Sequence, residues 1–160
     1  MTWLKLGDLL RHGITDMFNS ILVICTGNIC RSPIGERMLR RGLPNKLVDS
    51  AGVGALVGHE ADFSAARIAE NHGLSLLGHK GTQFTSLLAK QYDLLLVMEN
   101  VHLEEVTRIA PEARGKTMLF GYWMDGKEIP DPYRKSDEAF ESVYKLIEQA
   151  SGFWIERLGG

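Results

Sequence analysis

The chain alternates between short apolar runs and stretches in which apolar residues recur every three or four positions. Four apolar runs predict buried strands at residues 20–25, 46–51, 94–98 and 116–120. Helical spacing predicts helices at residues 33–42, 62–72, 101–110 and 136–158. Because strands and helices alternate, we expect right-handed crossovers between parallel strands.

The expected fold is a single-domain, three-layer α/β/α structure with a four-stranded parallel sheet. The run at 94–98 has no polar interruption, which is typical of a central strand covered on both faces. Asp62 is placed to cap the second helix, and Gly73 stands just past its end. In such sheets, ligands bind beyond the carboxyl ends of the strands.

Residues 1–16 precede this alternation, and we interpret them as an N-terminal extension of a domain that covers residues 17–160. Apolar positions three to four apart suggest a short amphipathic helix, and they are Trp3, Leu6, Leu10, Ile14 and Met17. The segment lacks the longer apolar centre and the cleavage site of a signal peptide. One interpretation of the segment is an extension, either a short helix or disordered, with Met17 as an alternative start of the protein. The other interpretation is a helix that docks on a membrane or a partner.

Composition narrows the class of protein. A chain of 160 residues fits one domain, and its net charge of −2 without a basic run argues against a nucleic-acid partner. No apolar stretch approaches the roughly 18 residues of a transmembrane helix. The two cysteines are five positions apart, which suits reactive thiols in a reducing compartment better than a disulfide framework. We expect a cytoplasmic protein.

The first predicted strand runs directly into the sequence CTGNICRSP, in which Arg31 follows Cys25 by six residues. A glycine-containing loop between a strand and a helix turns its backbone N–H groups toward one point, beside the positive end of the helix. This loop between strand 1 and helix 1 is predicted to bind phosphate through Thr26, Gly27, Asn28, Ile29, Cys30, Arg31 and Ser32. The same field would hold Cys25 as a nucleophilic thiolate, and the Arg31 guanidinium can pair with two phosphate oxygens. The loop predicts hydrolysis of a phosphate monoester through a cysteinyl-phosphate.

Several residues of the loop also have a structural interpretation. Cys25 could be a buried structural cysteine, although its place at a strand end and its spacing from Arg31 argue against this. Ser32 could be the N-cap of the helix that Pro33 begins, or its hydroxyl could donate to the Cys25 sulfur. Gly27 and Asn28 are expected to supply the unusual backbone angles of a tight loop.

A second candidate for the chemistry is Asp131, in the sequence IPDPYR. Pro130 and Pro132 hold it on a stiff loop after the fourth strand, at the ligand-binding edge of the sheet. Aspartate between prolines is often only a turn residue, but this location favours a general acid for a phenolate leaving group, and later a base for water. Tyr133 would then offer a flat wall to an aromatic substrate ring.

Cys30 lies within the same loop as Cys25 and has two open interpretations. It is either a small apolar residue at the start of the helix or a thiol that captures oxidised Cys25 as a reversible disulfide. There is no second cysteine pair, and the five histidines show no ligand spacing, so we expect no metal. We also expect no cofactor.

Together, the loop CTGNICRSP and the distal DPY resemble the low-molecular-weight protein tyrosine phosphatases over nearly the whole chain from Met17 onward. The segments SAGVGALVG, GHKGTQ, APEARGKTMLFG and IPDPYRKS are similar to those of the bacterial Wzb/Etp subgroup. The resemblance implies Cys25 as nucleophile, Arg31 as phosphate clamp, and Asp131 as acid and then base. It also implies that Ser50 and His79 lie behind the loop and hydrogen-bond Asn28.

Two departures from the family pattern concern the support and the rim of the site. After His79 many members carry Ala-Arg-Gln, whereas this chain has Gly-Thr-Gln, so an arginine that braces the loop is missing. Leu56 and Arg134 stand where relatives often carry aromatic residues. Together with Tyr133 they form the predicted rim of the site, which should therefore be more open and less aromatic than in those relatives. The resemblance implies a phosphotyrosine protein as substrate, namely an autophosphorylated bacterial tyrosine kinase that controls exopolysaccharide or capsule export. Membrane contact would then occur only through a membrane-bound substrate.

Other functions are compatible with parts of this pattern. Arsenate reductases share the fold and the loop, but they relay a disulfide through further cysteines, and no cysteine follows Cys30. A phosphate-binding module without activity would be expected to lack the thiol or the acid. A P-loop nucleotidase is excluded because the loop has no Gly-Lys-Ser/Thr ending.

Overall fold

The computed structural model describes residues 17–159, and its centre is a parallel sheet of four strands. The strands are β1 Ser20–Cys25, β2 Leu47–Gly52, β3 Leu94–Val97 and β4 Thr117–Leu119. Their order in the sheet is β2-β1-β3-β4, and every neighbouring pair is parallel. The predicted three-layer α/β/α fold with four parallel strands is confirmed.

Helices cover both faces of this sheet. They are α1 Arg31–Gly42, α2 Phe63–Asn71, α3 Ser86–Ala89, α4 Asn100–Ile109 and α5 Asp137–Leu158, with a 3₁₀ helix at Pro111–Lys116. The four predicted helices are confirmed to within two residues at each end. The sequence pattern did not predict α3 or the 3₁₀ helix, because helices of four and six residues are too short to show a periodicity.

Side chains of β1 alternate between two apolar layers, as the pleat of a strand requires. Ile21 and Val23 pack in the layer that contains residues of α1, α2 and α5. Leu22 and Ile24 pack on the other face, in the layer that contains Val106 of α4. All four strand side chains are fully buried, and burying each one stabilises the fold by about 1.5–3 kcal/mol. The sheet therefore holds the end of β1 in a fixed position.

The ends of α2 match the sequence prediction. The Asp62 carboxylate accepts hydrogen bonds from the N–H groups of Ser64 and Ala65 at 3.0 and 3.1 Å, which makes Asp62 the N-cap. Gly73 follows the helix with φ of 79°, the left-handed conformation that glycine adopts most easily.

The predicted extension, residues 1–16, lies outside the described residues, so its helix remains a prediction. Among residues 17–159, no helix is both long and apolar enough to cross a membrane.

Candidate active site

The loop between β1 and α1 lies at the carboxyl edge of the sheet, flanked by the loops that follow β2 and β3. At the end of β2, a Cβ on Gly52 would lie 2.3 Å from the carbonyl oxygen of Thr26, so only glycine allows this approach. Asn28 has φ of 58°, the left-handed conformation predicted for it. Gly27 is not among the glycines with a positive φ, and a Cβ there would meet only the Ile29 side chain at 3.7 Å.

Cys25 and Ser32 meet inside this loop. The Cys25 sulfur and the Ser32 hydroxyl oxygen are 2.9 Å apart, and both residues are buried. The alternative in which Ser32 caps the helix is wrong. Cys30 occupies the N-cap position without a side-chain hydrogen bond, and Ser32 lies in the first turn, where its hydroxyl faces the sulfur.

Asn28 connects the loop to its surroundings through every polar atom of its side chain. Its Oδ1 accepts from the backbone N–H of Thr82 at 2.8 Å, which identifies the other terminal atom as the amide nitrogen. That nitrogen donates to the hydroxyls of Ser32 at 2.8 Å and Ser50 at 3.0 Å. His79 lies behind the loop with its Nε2 against the Asn28 carbonyl oxygen. Ser50 and His79 therefore stand where the resemblance implies.

The backbone N–H of Thr82 holds the Asn28 side chain directly. The loop is therefore supported on this side without the arginine that this chain lacks. From the sequence without the resemblance, His79 would be interpreted as an exposed loop histidine. That interpretation is wrong, because the His79 residue is only 5% exposed. Burial lowers the pKa of His79, and its bond to the Asn28 carbonyl only partly offsets the effect. The neutral ring donates through Nε2, since the carbonyl can only accept.

A buried carboxylate, Glu36, fixes the direction of these hydrogen bonds. It accepts from the Ser50 hydroxyl at 3.0 Å and pairs with Arg37 at 3.0 Å and Arg40 at 3.4 Å. Because Ser50 donates to Glu36, its oxygen is left to accept from Asn28.

The Ser32 hydroxyl is directed by its neighbours in the same way as that of Ser50. Ser32 accepts from Asn28, so the single hydroxyl hydrogen of Ser32 is directed to its other partner, the sulfur of Cys25. The network therefore extends from α1 to the candidate nucleophile.

Arg31 is 1% exposed, and the chain holds its guanidinium from two sides. One terminal nitrogen donates to Glu99 Oε2 and to the carbonyl oxygen of Ile129, both at 2.8 Å. The other nitrogen lies 3.9 Å from Asp131 Oδ2. The cation is thus fixed at the pocket with donors left for an anion.

His102, in the first turn of α4, holds the opposite side of the loop. Its Nδ1 accepts from the backbone N–H of Glu99 at 3.0 Å, and its Nε2 lies 2.9 Å from the Thr26 hydroxyl oxygen. Burial, reinforced by the positive charge of Arg31, lowers the pKa of His102 to about 4. His102 is therefore neutral near pH 7.

Glu36, Glu99 and His102 were not found by sequence reasoning. For Glu99 a signal exists, because it comes two residues after the end of β3, at the same edge of the sheet as Cys25. The other two lie within helices among ordinary charged residues, and only the folded structure brings them to the loop.

A pocket of about 200 Å³ opens above the loop, and it brings together Cys25, Arg31 and Asp131. The Asp131 side chain is 47% exposed and accepts a hydrogen bond from the backbone N–H of Tyr133 at 3.0 Å. The remaining lining residues are Thr26, Gly27, Ile29, Cys30, Gly54, Leu56 and Tyr133.

The rim of this pocket is open, and Leu56 and Tyr133 are exposed on it. They lie on loops after β2 and β4, which are the two edge strands of the sheet, so they flank the pocket from opposite sides. Arg134 has φ of 61° and places its guanidinium carbon 5.1 Å from the centre of the Tyr133 ring. Of the three predicted rim positions, Leu56, Tyr133 and Arg134, Tyr133 is the aromatic one.

Cys30 is also buried, and it lines the same pocket. Burial raises the pKa of its thiol, and the nearby charges of Asp62 and Cys25 add to the effect. Cys30 is therefore protonated near pH 7. Among residues 17–159, no group of three His, Cys, Asp or Glu side chains is arranged to hold a metal ion.

A thiol, a fixed guanidinium and a carboxylate meet around one loop, an arrangement that suits transfer of a phosphoryl group from a phosphate ester. The family model of the low molecular weight phosphotyrosine protein phosphatases matches residues 20–160. The chain belongs to this family and is a low molecular weight protein tyrosine phosphatase.

Individual relatives agree with this assignment. The low molecular weight protein-tyrosine-phosphatase Etp from Escherichia coli is 63% identical over 141 residues, which are 88% of this chain and 95% of Etp. The crystal structure of the tyrosine phosphatase Wzb from Escherichia coli in complex with sulphate matches with a TM-score of 0.88 and 75% identity. That match covers 89% of this chain and all of the Wzb chain.

A more distant neighbour has a different printed activity. The YwlE arginine phosphatase from Geobacillus stearothermophilus matches with a TM-score of 0.82 and 29% identity, over 88% of this chain and 93% of its own. The fold is therefore shared with phosphatases for another phosphorylated residue.

Proposed function

We propose that this phosphatase hydrolyses phosphotyrosine in proteins through a phosphate ester on Cys25, with Asp131 as the acid. The observation that carries the proposal is the direction of the Ser32 hydroxyl, whose hydrogen is aimed at the Cys25 sulfur by the Asn28 network. A thiolate held in this way faces a pocket that also contains Arg31.

In the first step, the Cys25 thiolate attacks phosphorus, the S–P bond forms, and the bond to the phenolic oxygen breaks. The loop amides and Arg31 stabilise the charge on the equatorial oxygens. Asp131, at the exposed side of the pocket, gives its proton to the departing phenolate. Asp131 is assigned as the acid because its carboxyl group lies between the pocket and solvent.

In the second step, water attacks the cysteinyl-phosphate, and the Asp131 carboxylate accepts a proton from that water. The S–P bond breaks, inorganic phosphate leaves, and Cys25 departs as a thiolate. The Ser32 hydroxyl stabilises this thiolate by donating to it. No further reactant is needed.

The pocket walls support an aromatic phosphate ester. Ile29 and Leu56 offer apolar contacts, and Tyr133 offers a ring face at the mouth. The open rim suits a phosphotyrosine on an extended protein segment. By the family resemblance, the physiological substrate is an autophosphorylated bacterial tyrosine kinase of exopolysaccharide or capsule export, met in the cytoplasm.

The decisive experiment measures phosphate release by the purified protein from matched peptides that carry phosphotyrosine, phosphoserine or phosphoarginine. We expect turnover of the phosphotyrosine peptide alone, and none by the Cys25→Ser variant, which should still bind phosphate. Faster release from phosphoarginine would contradict the proposed substrate. Full activity of Cys25→Ser would contradict the proposed intermediate.

A further inference from the structure

A second cavity, of about 380 Å³, lies behind the loop that joins β1 to α1, and it shares no lining residue with the active-site pocket. Its wall includes Ser50 and His79, the two residues that support the loop from behind. Three cations, Arg37, Arg40 and Lys80, line it as well. The proposed reaction uses none of these three cations, so the cavity is a separate candidate for a ligand.

Two carboxylates also line the cavity, and their oxygens are already engaged within the protein. Both oxygens of Glu36 have the partners described above. Asp49 Oδ1 pairs with Arg40 at 2.9 Å, and Asp49 Oδ2 accepts from the Tyr92 hydroxyl at 2.6 Å. These acids are therefore poorly placed to bind a cation.

The donors of the cavity, in contrast, are only partly engaged. Arg37 donates through Nε and Nη1, and Arg40 through Nε and Nη2, so each guanidinium keeps one terminal nitrogen without a partner among residues 17–159. Lys80 is exposed and makes no ion pair within that part of the chain. Three cations against two engaged carboxylates leave a surplus of positive charge and of donors, which an oxyanion matches.

His79 adds an acceptor that decides which oxyanion fits. Its Nε2 donates to the Asn28 carbonyl, so in the neutral ring Nδ1 has a lone pair and no hydrogen. Nδ1 has no hydrogen-bond partner among residues 17–159, where the Tyr144 hydroxyl alone is a side-chain polar atom both enclosed and unpartnered. Nδ1 is therefore reachable from the cavity that His79 lines. An oxyanion beside it must carry a hydrogen, because a bare oxygen would meet the nitrogen lone pair.

Inorganic phosphate meets both requirements, since near pH 7 it has negatively charged oxygens and at least one hydroxyl group. Sulfate has the same shape but no hydrogen at that pH. We propose that the cavity behind the loop is a second phosphate site, in which the P–OH group donates to His79 Nδ1 and the other oxygens accept from Arg37, Arg40 and Lys80. The inference goes beyond the proposed function, because this site shares no residue with the reaction. The bound ion holds His79 in the tautomer that supports Asn28, so it is coupled to the loop without occupying it.

The test follows the ring nitrogens of His79 by ¹⁵N NMR while the full-length protein is titrated with inorganic phosphate or with sulfate at pH 7. In the active site, the loop N–H groups and Arg31 donate to either anion, so sulfate controls for any shift transmitted from the loop. We expect phosphate to shift the Nδ1 resonance. Sulfate should require at least about 10-fold higher concentration for the same shift, because it leaves Nδ1 facing an oxygen lone pair.

A charge reversal locates the ion. Lys80→Glu should raise the phosphate concentration for half of the shift about 10-fold or more, because it replaces an attraction with a repulsion. Lys145→Glu, at an exposed position of α5, is the matched control and should leave that concentration unchanged. Equal responses to phosphate and sulfate, or no response to phosphate, would overturn the proposal. A phosphate response that Lys80→Glu does not alter would also overturn it, because the ion would then not lie in this cavity.

Discussion

Arg31 and Glu99 form an ion pair at 2.8 Å that fixes the phosphate-facing guanidinium from the neighbouring strand end. The arginine is almost fully buried, and the glutamate side chain is 28% exposed. A buried cation that loses its partner is strongly destabilising, because little else compensates its charge. Glu99 is thus tied to both the stability and the anion affinity of the pocket.

Replacing Glu99 with alanine should therefore weaken the site. We expect kcat/KM on p-nitrophenyl phosphate to fall about 10- to 100-fold, which corresponds to about 1.4–2.8 kcal/mol, with weaker inhibition by inorganic phosphate. The matched control is Glu105→Ala, which removes a glutamate of α4 that pairs with Arg108 away from the pocket. Unchanged phosphate inhibition in Glu99→Ala would show that Arg31 needs no such partner.

Asp131 should matter most for poor leaving groups. In Asp131→Asn, we expect turnover of phenyl phosphate to fall about 100-fold or more, because the phenolate must leave without a proton. Turnover of p-nitrophenyl phosphate should fall much less, since its leaving group is stable as an anion. Asp137→Asn, which alters an exposed aspartate paired with Arg67, is the control. An equal loss on both substrates would remove Asp131 from the role of acid.

His102 should make the fold less stable in mild acid. Its pKa is about 4 in the folded protein, against an ordinary value of 6.5, so the unfolded chain binds more protons between these values. The contribution is present above pH 6.5 and is lost as the pH falls toward 4. It amounts to about 2 kcal/mol between pH 7 and pH 5.

Urea unfolding at pH 7 and pH 5 measures this effect. The loss of stability between the two should be smaller in His102→Leu than in wild type, because leucine binds no proton. The control is His59→Gln, at an exposed position of the loop after β2. If His102→Leu and wild type lose equal stability, the histidine is not the group responsible.

Cys30 provides a prediction about oxidation. Hydrogen peroxide should convert the Cys25 thiolate to a sulfenic acid, which the Cys30 thiol can capture as a disulfide with release of water. Because burial raises the pKa of Cys30, this capture should be slow at neutral pH and faster in mild alkali. Wild type should recover its activity with dithiothreitol after peroxide, whereas Cys30→Ser should recover little. Equal recovery would leave Cys30 as an apolar filler.

The fold and the loop were predictable from sequence, because each depends on residues close together in the chain. Strand runs and helical spacing are local patterns, and Cys25, Arg31 and Ser32 lie within seven positions of one another along the chain. The supporting contacts were not predictable in this way. Arg31 and Glu99 are 68 residues apart, and Thr26 and His102 are 76 apart, so only the order of strands in the sheet brings them together.

The family resemblance supplied part of what local patterns could not, and one local interpretation is wrong. Ser50 and His79 were placed behind the loop only through the family pattern. Ser32 was given an alternative as a helix cap, although the helix begins one residue earlier, at Arg31. Of Gly27 and Asn28, only Asn28 has a positive φ.

The most direct test of the account is to trap the covalent intermediate. The enzyme is mixed with a phosphotyrosine peptide, quenched in acid within the first turnovers, and digested for mass spectrometry of the fragment that carries Cys25 and Cys30. Asp131→Asn should raise the trapped amount when p-nitrophenyl phosphate replaces the peptide, because its leaving group needs no proton and only the second step is then slowed. The account predicts phosphate on Cys25, none on Cys30, and none in Cys25→Ser. Turnover without any phosphocysteine, or phosphate on another residue, would contradict it.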